Sequence, residues 1–80
     1  MLEFEALHIP ALTEEVAVKL EQFLSRSPGI VQIQIDLERR ALQIRFDEAR
    51  VDFLQLTKIM AEAGCPLRQI DAALLKKLSS

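Results

Sequence analysis

Apolar and polar residues alternate most regularly in the middle of the chain. Val31, Ile33, Ile35 and Leu37 fall on one side, with Gln32, Gln34, Asp36 and Glu38 between them. That two-residue period is the mark of a strand with one buried and one wet face. Arg39 and Arg40 mark a turn, after which Leu42, Ile44 and Phe46 alternate with Gln43 and Arg45. The connection is too short for a crossover helix, so the two strands form an antiparallel hairpin.

Two segments carry the longer helical period. Before the hairpin, Val16, Leu20, Phe23 and Leu24 recur at helical spacing, with Lys19, Glu21 and Gln22 between them. Thr13 is placed to accept a backbone N–H as N-cap, and Glu14 and Glu15 put negative charge at the positive end of the helix dipole. Ser27-Pro28-Gly29 stops the helix near Arg26. After the hairpin, Asp52 and Gln55 have capping-box spacing, and Val51 and Leu56 that of a hydrophobic staple. Phe53, Leu56, Ile59, Met60 and Ala63 make the apolar stripe of this second helix. Gly64 suits a left-handed C-cap, and Pro66 bars continuation.

The two ends are less regular. Leu2 to Ile9 reads as a strand that Pro10 closes, though Leu7, His8 and Ile9 blur the alternation. Near the other end, Leu67 and Ile70 suggest a short edge strand. Ala72 to Leu78 then reads as one or two turns of helix. The order strand, helix, hairpin, helix, strand predicts an α+β fold, a ferredoxin-like βαββαβ sandwich: a four-stranded antiparallel sheet with both helices on one face and a short helical tail. The single domain spans residues 1–80, with a core over 2–70 and the tail over 71–80. Gln32, Gln34, Asp36, Gln43 and Arg45 belong to the open face. The end of the first strand, the start of the first helix and the Gly64–Leu67 loop meet at one end.

Composition narrows the functions. Eighty residues leave little room for a deep catalytic cavity. A net charge of −2 argues against nucleic acid, which selects a concentrated basic surface. No apolar run approaches a membrane span, which excludes membrane insertion. The start, Met1-Leu2-Glu3-Phe4-Glu5, lacks a signal-peptide pattern, and a single cysteine suits a reducing, cytoplasmic setting. Catalysis finds no support in one His, one Cys and carboxylates scattered over caps and strand faces. Two glycines make no phosphate-cradling loop. No cofactor is expected.

Ser27-Pro28-Gly29-Ile30, Ile33-Gln34-Ile35-Asp36-Leu37, Ala41 through Phe46-Asp47, and Ala61-Glu62-Ala63-Gly64 follow one another at characteristic spacing. The ordered set, over residues 2 to 70, resembles the heavy-metal-associated domains, the copper-chaperone-like modules. The resemblance implies a Cys-x-x-Cys motif before the first helix. Counting back from Gly29, those cysteines fall on Thr13 and Val16, and the methionine that precedes them falls on Ala11. Neither Thr13 nor Val16 supplies a thiolate, and Cu(I) requires soft sulfur ligands. The carrier mechanism does not transfer to these positions.

Cys65 keeps a metal reading open. It follows Gly64, where the family has a residue beside the metal loop, and His8 ends the first strand at the same end of the domain. Cys65 and His8 are therefore the candidate ligands for Cu(I) or Zn, with Glu14 or Glu15 nearby and two copies of the domain sharing one ion. The plainer readings are a small apolar loop residue for Cys65 and a strand-end residue for His8. The expected function is a non-catalytic interaction or regulatory module with a degenerate metal site, bound to a protein partner through the two helices or an edge strand, the Val31–Leu37 edge inviting pairing with a second copy. The alternatives are a soft-metal carrier or sensor using Cys65 with His8, and a small-molecule regulatory domain of the same topology.

Overall fold

A computed structural model describes residues 1–70 and 72–78. Strands β1 (Leu2–Leu7), β2 (Ile30–Asp36), β3 (Ala41–Phe46) and β4 (Ala72–Lys77) form one sheet in the order β2-β3-β1-β4. Every neighbouring pair is antiparallel. Helices α1 (Glu14–Ser25) and α2 (Phe53–Glu62) pack on each other, and a 3₁₀ turn (Leu67–Gln69) follows α2. Phe4, Ala6, Leu42, Ile44 and Phe46 from the central strands join Leu20, Leu24, Leu56 and Met60 from the helices in one buried core. The Phe4 and Phe53 rings meet with centroids 5.6 Å apart. The expected ferredoxin-like sandwich is the observed fold.

Both helix starts follow the capping rules. Thr13 Oγ1 accepts from Val16 N at 3.3 Å. Asp52 Oδ1 accepts from Gln55 N at 2.7 Å while Gln55 Oε1 accepts from Asp52 N, completing the capping box. Gly29 has φ +94° and its carbonyl accepts from Asp47 N at 2.7 Å, which joins the end of the α1 segment to the end of β3.

Three expectations are corrected. Ala72 to Lys77 is a strand and not a helical tail, and Leu67 to Gln69 is a 3₁₀ turn and not an edge strand. Ala, Leu and Lys favour helix locally, but pairing with β1 from Leu2↔Lys77 to Leu7↔Ala72 outweighs that preference. Residues 71, 79 and 80 of the expected tail lie outside the described residues. Second, Val31 is 59% exposed and off the core face. The register slips between Ile30 and Gln32, a bulge that gives the inward position to Ile30 and ejects Val31. Third, β1 ends at Leu7, because His8 adopts φ +54° and turns the chain so that Ile9 enters the core. Ile9 N then donates to Arg40 O, in a second residue with positive φ.

Gly29→Ala is expected to destabilise the domain by about 2 kcal/mol, because an L side chain is strained at that φ. Its Cβ would also lie 2.9 Å from Arg50 Cβ. A urea titration measures this as a lower midpoint with an unchanged slope.

Candidate functional site

The corner to which the sequence assigns metal chemistry is built from the end of β1, the start of α1 and the loop after α2. Thr13 and Val16 stand at the start of α1. The Thr13 hydroxyl is engaged as the cap, and its side chain holds the first turn. Val16 is half-buried, and a Cβ added to Gly64 would lie 3.3 Å from Val16 Cγ2, so these two elements touch. A threonine hydroxyl and a valine methyl do not fit a soft ion, which calls for thiolate or thioether.

Leu12 and Ala17, immediately before and four residues after the cap, are both buried. That is the spacing of a hydrophobic staple, readable from the sequence but not used there. With Ile9 fully buried, the loop between β1 and α1 is closed over apolar side chains. Its backbone turns on itself, Leu12 N donating to Ile9 O at 3.2 Å.

Cys65 lies in the core with no exposed surface. Gly64 N donates to Ala61 O, and Cys65 N donates to Met60 O at 2.9 Å. These are the paired bonds of a Schellman closure, in which the residue after the glycine makes an apolar contact back to the last turn. Met60 and Cys65 are both buried in the same core. Burial pushes the Cys65 thiol up from its ordinary pKa, since a thiolate there would lose its hydration. His8, by contrast, is exposed. Among the described residues, no group of three or more His, Cys, Asp or Glu side chains is gathered closely enough to hold a metal ion. Glu14 and Glu15 are exposed in the first turn of α1, where they complement the dipole, and Glu15 pairs loosely with Lys19 at 3.9 Å.

The opposite face of the sheet holds the charged side chains the core excludes. Glu3 is only 5% exposed, and its carboxylate accepts from Arg45 Nε at 3.1 Å and from Gln43 Nε2. Gln43 Nε2 also donates to Glu5, which pairs with Lys76 Nζ at 3.4 Å. Burial of Glu3 was not legible in the sequence, because its cover comes from β3 across the ladder. No helix among the described residues is long and apolar enough to cross a membrane.

Labelling of Cys65 by iodoacetamide is expected to run at least about a hundredfold slower in the native protein than in denaturant, since reagent reaches it only through opening. Its raised pKa also sets a pH dependence. The thiol's contribution to stability is complete below its unfolded value of about 8.5 and is lost as pH rises through the higher folded value. The urea midpoint should therefore fall above about pH 8.5 in the wild type, and Cys65→Ala should remove that part of the fall.

No family model and no curated protein matches the chain. Solved structures do. Oxidized MerP from Ralstonia metallidurans CH34 superposes with a TM-score of 0.68 at 19% identity, over 96% of this chain and 97% of that one. Apo-CopP from Helicobacter pylori gives 0.66 at 19% identity, over 80% and 94%. A copper binding domain from HMA7, a P-type ATPase, gives 0.67 at 14% identity, over 96% and 96%. At these identities the likeness is one of fold, and the fold is that of the heavy-metal-associated, copper-chaperone-like domains.

Proposed function

We propose that the chain is a non-catalytic module of the heavy-metal-associated type whose metal corner is given over to packing, and which acts by binding a protein partner. One observation carries this reading: the residues at the helix start and the loop facing it have structural tasks and supply no pair of soft donors. Thr13 caps α1, Val16 packs against Gly64, and Cys65 closes α2 from inside the core. The solved structures of the same fold include a metallochaperone, CopZ, and MerP in a mercury-bound form. A chain with that scaffold and without the ligand pair retains the shape and loses the cargo. A reducing, cytoplasmic setting belongs to the same reading, since it keeps the lone Cys65 a thiol.

The test is anaerobic Cu(I) competition against a chromogenic chelator, for the wild type and Cys65→Ala, with light scattering alongside. Neither protein should compete, and added copper should leave the mass unchanged. Tight binding by the wild type alone, with doubling of mass, would instead make Cys65 a ligand, His8 its natural second donor, and the protein a soft-metal carrier.

A further inference from the structure

Two hollows adjoin on the helix-free face of the sheet. The larger, about 740 Å³, lies over β2, β3 and β1 and is bordered by Leu7, Leu37 and Ala41. The smaller, about 280 Å³, lies between β1 and β4 beside Ala72 and Leu74. Glu5 and Leu7 border both, so the two make one groove across the strands. The register explains the depression. Ala72 stands opposite Leu7 on β4, and on the β3 side Ala41 follows next after the Ala6↔Leu42 pair, so small side chains flank Leu7.

The groove sets leucines beside the amides of Gln34 and Gln43 and is acidic at its border. Leu7, Leu37 and Leu74 are 48%, 42% and 51% exposed. Glu5, Asp36 and Glu38 line it, and among the described residues no Lys or Arg does. Lys76 reaches Glu5 from one side, Asp36 Oδ1 accepts from Glu38 N and Arg39 N, and Arg39 Nε lies 3.9 Å from Asp36 Oδ2. Glu38 takes part in none of the ion pairs among the described residues.

We propose that this groove docks a short amphipathic helix of a partner protein, apolar along one stripe and basic along its flanks. The inference rests on the interaction-module reading and supplies its surface. The groove crosses the strands, where no main-chain pairing is on offer, and a helix is the element that covers a sheet face, as α1 and α2 do on the other side. Four strands about 4.8 Å apart are about 14 Å across, a distance that a helix of about ten residues spans. Its apolar residues at i, i+3, i+4 and i+7 meet Leu37, Leu7 and Leu74 in turn. Its lysines and arginines meet the three carboxylates, which sets orientation and makes association salt-sensitive.

The probe is a fluorescent synthetic peptide of about twelve residues, with leucine at i, i+3, i+4 and i+7 and lysine on the flanks. A control peptide keeps the leucines and replaces lysine with glutamate. Amide shifts of the ¹⁵N-labelled protein locate binding, and anisotropy measures it. The lysine peptide should bind and shift amides around Leu7, Leu37, Ala41 and Leu74, whereas the glutamate peptide should not. Leu7→Ser with Leu74→Ser should weaken binding about tenfold or more, and Glu38→Gln should lessen its salt dependence. Both leucines are about half exposed, so the double variant is expected to keep its thermal transition. If it does not, the shift map of the wild type decides. Equal binding of both peptides, no binding at all, or self-association of the chain that produces the same shifts without peptide would overturn the proposal. Shifts confined to α1 and α2 would overturn this groove and leave the module reading standing. Copper capture by Cys65 would strike that reading and leave the titration interpretable on its own.

Discussion

Two helices cover one face of a four-stranded sheet, and among the described residues no element covers the other. That constraint runs through the molecule. Phe4 and Ala6 point from β1 into the core, while Glu3 and Glu5, between them, must be satisfied outside it. They are, by Gln43 and Arg45 from β3 and by Lys76 from β4. Because β1 is paired on both sides, its outward carboxylates are walled in by neighbours. Glu3 is as buried as Val51 of the core without leaving the polar face. A buried carboxylate is tolerable only with donors of this kind.

The same economy shapes the corner at the start of α1. Ile9, Leu12 and Cys65 fill it, and at the helix terminus Thr13 accepts from Val16 N while Glu14 and Glu15 face the dipole. A metal loop needs side chains turned outward and free to rearrange around an ion. Here Ile9, Leu12 and Cys65 are turned inward while His8 and Thr13 stay at the surface, and burial favours the neutral form of the thiol. The likeness to solved metal-binding domains at identities of 14 to 19% is a likeness of scaffold.

What the sequence made legible was whatever depends on local period and capping. The hairpin, both helix starts, Gly64 as C-cap and the order of the first five elements can be read from spacing alone. The fourth strand could not. Ala72-Ala73-Leu74-Leu75-Lys76-Lys77 has no alternation, is exposed throughout and consists of helix formers. Only its partner strand makes it a strand. Val31 was misleading for a related reason, since a bulge breaks parity without changing composition. At the candidate site the cap at Thr13 and the absence of thiolates were readable, and the interior position of Cys65 was the plainer of its two readings. The groove on the open face was invisible, because it forms only once β4 lies beside Leu7.

The two borders of the sheet are unlike. β2 carries a bulge at its start and polar residues along its wet side, and both discourage a further strand from adding there. β4 is unbroken by bulge or proline and bears two alanines and two leucines, with Lys76 and Lys77 at one end. A sheet with one welcoming border grows by a single step. Two copies paired through β4 would leave only the bulged β2 borders free, so pairing of that kind would stop at two chains and would not run on into a fibre.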